Sequence, residues 1–191
     1  CGIIQSGAAA NLIFDMHNEY AFDKQTEDGH WVRGLRELLG SRVLVYSLDA
    51  QAAARRNVDV TLTVGLNQIE AEDIMLLADE LDLTATTAAT AGLLVDLYGG
   101  NWLQQLLGMS SDDLAGFCQS SGAHPEATKA LQRKLRDVQR RAYIQEEAPF
   151  SLIDEMVTAL GKGRNIILEF GRHSTPLDYM LVANIVTRRI R

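Results

Sequence analysis

The sequence has few cysteines and no long apolar run. Its two cysteines, Cys1 and Cys118, lie far apart and match no metal-ligand spacing, which favours a reducing, cytoplasmic setting. No stretch approaches the roughly 18 consecutive apolar residues that a membrane-spanning helix needs. Residues 1–10 also lack the basic start of a signal peptide. We therefore expect a cytoplasmic protein with no membrane partner.

The sequence also lacks an excess of positive charge. It has 18 Lys and Arg against 25 Asp and Glu, a net charge of -7, so it has no overall electrostatic attraction for nucleic acid. Nucleic-acid binding would need local patches or a ring of subunits that concentrates them. A dense basic run lies at residues 133–141, and on a helix Arg133, Arg136 and Arg140 share one face. Two interpretations remain open: phosphate contact, or a solvated helix face balanced by nearby acids.

Two nucleotide-binding motifs are missing. No G-x-x-x-x-G-K-[ST] phosphate loop occurs, and no predicted strand of four apolar residues is followed by Asp-Glu. Residues 161–164, GKGR, have a similar composition but precede an apolar strand pattern and lack the following Ser or Thr. They are interpreted as a turn, so the chain carries no complete nucleotide site of this kind.

The stretch NLIFDMHNEY, residues 11–20, is the most informative one. Residues 12–14 form an apolar run typical of a strand buried in a parallel sheet. Asp15, His17 and Glu19 follow two residues apart, and an extended chain would place all three on one face. Ligands of open α/β sheets bind beyond the carboxyl ends of strands, which favours a site here. The alternative is that Asp15 only caps a loop while His17 and Glu19 are solvated.

The rest of the chain divides into α/β and helical parts. Apolar runs predict strands at residues 43–46 and 166–168, and alternation predicts an edge or antiparallel strand at 58–64. A helix is predicted at 30–39, and helical patterns dominate from 70 to 160, including one from 125 to about 147. We therefore predict an α/β core from residues 1–66 and 161–191, with a helical bundle inserted at 67–160.

Three predicted strands are each followed by an acid: Asp15, Asp49 and Glu169. If the strands are parallel neighbours, Asp15 and Glu169 come within reach of each other and could hold Mg²⁺ through waters. Glu169 could instead form a structural ion pair with Arg172 or Arg164. A metal-dependent hydrolase that uses Asp15, His17 and Glu169 is a further alternative.

Three stretches together resemble the HerA-like branch of the HerA/FtsK ATPases: LIFDMHNEY, LTVGLNQIEAEDI at residues 62–74, and NIILEFGRHSTPLDYMLVANIVTRRIR at 165–191. The resemblance covers most of the chain, with the helical part the least specific. It implies a partial RecA-like P-loop ATPase core with an inserted α-helical bundle. It also implies a hexameric, ATP-dependent DNA translocase or helicase, which acts in DNA end processing or anti-phage defence and often has a nuclease partner.

The resemblance further implies roles for individual residues. Asp15, with His17 and Glu19, would lie at the catalytic edge of the nucleotide site, with Asp15 near Mg²⁺, and Arg172 would contact nucleotide or a neighbouring subunit. From the strand pattern, we expect Glu169 to be the other cofactor-binding residue at this edge. The phosphate loop would precede Cys1 and another magnesium-binding acid would follow Arg191. We therefore expect ATP and Mg²⁺ to act only in the intact protein, with this chain alone inactive. The alternative is a non-enzymatic protein-interaction module with a degenerate nucleotide site.

Overall fold

The structure is a computed structural model that describes residues 2–149 and 151–190. The described residues fall into two compact units. Unit 1 comprises Cys1–Leu62, Phe150–Tyr179 and Val186–Arg191, and unit 2 comprises Thr63–Pro149 and Met180–Ile185. No helix among the described residues is both long enough and apolar enough to cross a membrane.

Unit 1 contains a parallel sheet. Among the described residues it has four strands in the order β1-β8-β4-β5, with bounds Leu12–Asp15, Asn165–Glu169, Val43–Ser47 and Val60–Thr61. All three pairings are parallel. The central strand β8 is buried along its whole length, as expected for an apolar run covered on both faces. Strand β1 lies at an edge of this sheet, so its residues 12–14 are only partly buried.

Helices and a short hairpin surround this sheet. The helices are α1 (Gly2–Ser6), α2 (Leu35–Leu39), α3 (Ala50–Arg55) and α9 (Ser151–Gly161), and the hairpin pairs β2 (Lys24–Gln25) with β3 (Trp31–Val32). Helix α10 spans Pro176–Ile190. A hydrophobic cluster joins Ile4, Ala21, Leu35 and the sheet residues Val45 and Ile167. This cluster fixes the β1 edge against α1 and α2.

Unit 2 is mainly helical. Its helices are α4 (Ala71–Leu76), α5 (Ala85–Tyr98), α6 (Trp102–Gly108), α7 (Ser111–Ser121) and α8 (Pro125–Gln139), and a short parallel pair joins β6 (Val64–Gly65) to β7 (Ile144–Gln145). Thr84 caps α5, and Ser110 forms a capping box with Asp113 at the start of α7. Pro125 occupies the first turn of α8. The sequence therefore encodes these helix starts locally.

The structure confirms the α/β class with a parallel sheet and corrects three predicted elements. The predicted helix at 30–39 is wrong in its first half, since β3 occupies Trp31–Val32 and α2 begins at Leu35. The strand predicted at 58–64 is shorter than predicted, since β5 spans Val60–Thr61 and Val64 belongs to β6; β5 is an edge strand, one of the two predicted alternatives, and it pairs in parallel with β4. The long helix ends at Gln139 instead of near residue 147. The division into a core at 1–66 and 161–191 and a bundle at 67–160 stays a proposal.

Candidate functional site

The carboxyl ends of three adjacent strands form the candidate site in unit 1. Asp15 ends β1 and lies opposite Glu169, which ends β8, and Glu169 lies opposite Ser47 at the end of β4. The expectation that Asp15 and Glu169 belong to neighbouring parallel strands is therefore confirmed. Both carboxylates are 1% exposed, so their charges are largely withdrawn from water.

Glu169 is the most perturbed acid of this edge. Burial raises the pKa of Glu169 to about 7, the Arg56 guanidinium acts to lower that pKa, and the charge of Asp15 acts to raise it. Arg56 Nη1 lies 3.4 Å from Glu169 Oε1, and its guanidinium also lies over the ring of Phe22. The ion-pair partner predicted for Glu169 was Arg172 or Arg164. The structure shows Arg56 instead, 113 residues away in sequence.

Asp15 shapes the loop that follows it. Its Oδ1 accepts a hydrogen bond from the Glu19 N–H at 3.0 Å and its Oδ2 accepts one from the Tyr20 N–H at 2.8 Å. The chain therefore turns directly after β1, and the prediction of an extended segment with three side chains on one face is wrong. Of the two readings weighed from the sequence, the loop-capping geometry of Asp15 is the one observed.

The other two predicted catalytic residues lie on the surface of this loop. His17 and Glu19 are both exposed. Glu19 accepts a hydrogen bond from Lys24 Nζ at 2.7 Å, and this bond with the charge of Lys24 lowers the pKa of Glu19. His17 and Glu19 are therefore open to a ligand that approaches from solvent.

Asn18 connects the loop after β1 to the loop after β8, and the sequence analysis missed it. Its Oδ1 accepts from the Gly171 N–H at 2.7 Å, and its Nδ2 donates to the Gly171 carbonyl at 3.0 Å. Asn18 adopts φ 55°, a left-handed conformation that Asn tolerates better than most residues. An Asn three residues after a strand-ending acid, a residue type that tolerates the left-handed conformation, was the available signal.

Gly171 holds two loops in close approach. Its φ is 60°, and a Cβ built on it would lie 2.3 Å from Asp49 Cβ. Only glycine meets both demands without displacement of the backbone or of Asp49. The Asn18 contacts and this close approach together fix the β8 loop over the carboxyl edge.

Asp49 and Arg172 form a third part of the edge. Asp49 Oδ1 caps α3 by accepting from the N–H groups of Gln51 and Ala52 at 3.0 and 3.2 Å. Its Oδ2 lies 3.4 Å from the Arg172 backbone nitrogen, which donates to it, and 3.7 Å from Arg172 Nε. Burial acts to raise the pKa of Asp49, but the backbone donors and the Arg172 charge outweigh it and lower that pKa. Arg172 is half-exposed, also donates to Gln51, and lies at the mouth of this edge.

The carboxylates of this edge suit a hydrated cation better than a fully coordinated one. Among the residues that the structure describes, no group of three or more His, Cys, Asp or Glu side chains is placed to hold a metal ion. The hydrolase alternative, which needs Asp15, His17 and Glu169 as one cluster, therefore lacks its metal centre in the described part of the chain. A Mg²⁺ ion that keeps several waters needs only one or two carboxylates.

A cavity of about 730 Å³ adjoins the loop after β1. Glu19, Tyr20 and Lys24 line its polar part, and Ile13 and Leu35 contribute to its apolar wall. Its volume lies in the range of small-ligand sites. The edge and the cavity share Glu19 and Tyr20, whose backbone positions are set by Asp15.

Comparison with known proteins gives one match. A family model described as the central domain of the helicase HerA matches residues 1–190. Neither the comparison with curated proteins nor the comparison with solved structures found a match.

Proposed function

The chain belongs to the family of the helicase HerA central domain, and we propose that it forms part of an ATP-driven DNA translocase motor of the HerA/FtsK kind. In this proposal the sheet of unit 1 belongs to a RecA-like P-loop core, and residues 67–160 are a helical bundle inserted in that core. The motor acts as a hexamer in the cytoplasm, in DNA end processing or anti-phage defence, with a nuclease as its partner.

One observation carries the proposal. Asp15 and Glu169 lie opposite each other at the carboxyl ends of adjacent parallel strands, and both are almost fully buried. Open α/β sheets bind ligands in the crevice beyond these strand ends. A buried carboxyl group whose pKa is raised to about 7 changes its charge near neutral pH, as acids and bases at functional sites commonly do.

The residues present fit a hydrated Mg²⁺ ion at this edge. A carboxylate has about four acceptor positions, and Asp15 uses one on each oxygen for backbone N–H groups. Asp15 and Glu169 would hold the ion, and MgATP when bound supplies the phosphoryl group that is transferred. In the intact motor, Asp15 would help to place the ion or the attacking water, and Glu19 or His17, exposed on the loop that Asp15 holds, would orient that water. Arg172, half-exposed at the mouth, contacts the nucleotide or a neighbouring subunit.

The proposal assigns ATP hydrolysis to the intact motor. These 191 residues contain no G-x-x-x-x-G-K-[ST] segment, so we propose that the chain alone does not hydrolyse ATP. The test therefore uses the protein encoded by the complete reading frame that contains residues 1–191, assayed for DNA-stimulated ATP hydrolysis.

Asp15→Asn and Glu169→Gln are the test variants, and Glu27→Gln, at an exposed glutamate of the same unit, is the control. Asn retains an acceptor for the loop after β1, so the fold should survive, and circular dichroism checks it. Turnover should fall about 100-fold in both test variants, the range that a positioned acid or base contributes, and stay unchanged in Glu27→Gln. Turnover equal to the parent in a folded Glu169→Gln and a folded Asp15→Asn would refute the proposed site.

The second candidate is a non-enzymatic interaction module with a degenerate nucleotide site. This candidate is favoured because two of the expected catalytic residues already have structural partners. Both Asp15 oxygens accept hydrogen bonds from the loop, and Glu19 is paired with Lys24. The same assay separates the two candidates, because an interaction module shows no ATP turnover in the parent protein.

A further inference from the structure

Positive charge in unit 2 is confined to a short stretch. All six Lys and Arg residues between positions 63 and 149 lie at positions 129–141, while thirteen Asp and Glu residues are spread through the same range. An otherwise acidic unit therefore carries a single concentrated basic region. Such clustering along one helix is an electrostatic footprint of anion binding even where the net charge is negative.

Four of the six basic residues form a line on one face of α8. Lys129, Arg133, Arg136 and Arg140 follow each other at intervals of four, three and four residues, and all four are exposed. Arg140, at the C-cap, keeps helical backbone angles, so the line continues past the last turn. With a rise of 1.5 Å per residue, the line is roughly 16 Å long. We call these four residues the basic stripe.

The structure separates the basic stripe from a structural lysine beside it. Lys134 donates to the carbonyl of Leu81 at 2.6 Å and to the carbonyl and carboxylate of Asp82. Its charge thus binds the chain between α4 and α5 to α8. Lys134 therefore belongs to the packing of unit 2 and not to the stripe.

Two of the four charges of the basic stripe have no ion-pair partner among the described residues. Arg133 and Arg136 form no ion pair within residues 2–149 and 151–190. The end residues pair with acids of their own helix, Lys129 with Glu126 and Arg140 with Asp137, each at 3.0 Å. These pairs are exposed, and exposed pairs are weak enough for a stronger anion to replace.

The composition of the α8 surface identifies the class of anion. The apolar residues of α8, Leu131, Leu135 and Val138, are buried on the opposite face. The exposed large apolar residues of unit 2 are Met75, Leu76 and Leu97, none of them on α8. A protein partner needs an apolar interface core, which this face does not offer. A phosphate backbone needs only cations and hydrogen-bond donors.

We propose that the basic stripe binds the phosphate backbone of duplex DNA without reading its sequence. A single strand is the weaker candidate, since single-strand sites stack bases on aromatic side chains and residues 125–140 contain no aromatic residue. Three of the four stripe residues are arginines, whose planar guanidinium groups suit bidentate phosphate contact. The inference rests on the DNA partner of the proposed function, but it uses residues outside the nucleotide edge.

The test measures binding of the 191-residue chain to a fluorescein-labelled duplex by fluorescence anisotropy, without nucleotide, over about 50 to 200 mM salt. If all four stripe residues meet phosphates, the plot of log affinity against log salt has a slope of about -3.6. Arg133→Gln with Arg136→Gln should weaken binding at least about tenfold and reduce that slope by about 1.8. Both side chains are exposed, so the fold and the thermal midpoint should not change.

A matched control has the same change of net charge elsewhere. Arg55→Gln with Lys162→Gln alters two exposed basic residues of unit 1 and should leave both affinity and slope unchanged. Equal effects in the two double variants would overturn the basic stripe while the DNA partner of the proposed function stands. Tighter binding of a single strand than of the duplex would overturn the duplex assignment.

Binding of a polyglutamate peptide with none of the duplex would identify the stripe as a site for an acidic protein and overturn the inference. Glu169 lies in unit 1, away from the basic stripe in the sequence, so the Glu169→Gln variant should bind the duplex as the parent does. The nucleotide edge and the basic stripe are therefore tested by different variants. Loss of ATP turnover in the intact protein therefore leaves this result unaffected.

Discussion

Replacing Glu169 by Gln should change how the stability of the protein depends on pH. Glu169 is 1% exposed, and its burial raises its pKa from 4.5 to about 7. Between these two values the folded protein holds a proton on Glu169 that the unfolded chain has released. The free energy of unfolding therefore contains a contribution that is complete below pH 4.5 and is lost as the pH rises through 7.

The size of this contribution follows from the two pKa values. A pKa difference of one is equivalent to 1.36 kcal/mol, so a rise from 4.5 to about 7 corresponds to about 3 kcal/mol. Gln has the same shape as the protonated acid and does not titrate. The difference in unfolding free energy between Glu169→Gln and the parent should therefore shift by about 3 kcal/mol in favour of the variant as the pH rises from 4 to 8.

Urea denaturation of both proteins, followed by circular dichroism at several pH values, measures this difference. With an m-value of about 2 kcal/mol/M, the gain corresponds to a shift of about 1.5 M in the urea midpoint. Glu27→Gln, at an exposed glutamate of unit 1, controls for loss of one negative charge and should show a constant difference from the parent. A Glu169→Gln profile parallel to that of the parent from pH 4 to pH 8 would refute the burial argument.

Three further substitutions test the geometry of the carboxyl edge. Gly171→Ala should destabilise the protein by more than the roughly 1 kcal/mol expected for Gly163→Ala in thermal unfolding, since both glycines have positive φ but only Gly171 faces a side chain at 2.3 Å. Asn18→Gly tolerates φ 55° but removes both hydrogen bonds to Gly171, so a loss of about 2 kcal/mol is expected, and no loss would contradict their role. Arg56→Met should raise the pKa of Glu169 above 7, measured by carbon NMR of its carboxyl group, whereas a lower value would show that Arg56 does not stabilise the ionised form.

The strands that meet at the candidate site could be predicted from the sequence, because each one is an apolar run that ends in or just before a polar residue. This pattern belongs to parallel strands covered on both faces, and β4 and β8 fit it with almost complete burial. The position of Asp15 opposite Glu169 could not be predicted from the sequence, because it depends on which strands are neighbours in the sheet. The sequence predicts where each strand ends, and the order of the strands in the sheet determines which strand ends are adjacent.

The loop after β1 could not be predicted because a side chain competes with the extended backbone. Asp15 captures the N–H groups of Glu19 and Tyr20, and Asn18 adopts positive φ, so the alternation of the strand stops at Asp15. Asp and Asn are residues that form such local turns. The prediction that His17 and Glu19 share a face with Asp15 assumed an extended chain, and these local hydrogen bonds prevent one.

The helix predicted at residues 30–39 failed for a tertiary reason. The backbone at Gly34 packs so closely on Ala21 and Phe22 that a Cβ there would lie 2.3 Å from the Ala21 carbonyl oxygen. Gly34 is extended, and α2 begins only after it. Trp31, which lies within the predicted helix, is 71% exposed. The apolar spacing was real, but the contact that decides the backbone lies more than ten residues away in sequence.

The two buried acids of this edge, Asp15 and Glu169, differ in how much of the structure depends on each of them. Asp15 has a backbone donor on each oxygen, so its removal also releases the loop that carries His17 and Glu19. Among the described residues, the Glu169 carboxylate accepts one hydrogen bond, from Arg56 at 3.4 Å, and none from a backbone N–H. A change of charge therefore disturbs the backbone less at Glu169, whose pKa is raised to about 7, than at Asp15. In the proposed site both carboxylates would hold the cation, Asp15 also fixes the loop after β1, and Glu169 is the acid whose charge would change when the cation binds near neutral pH.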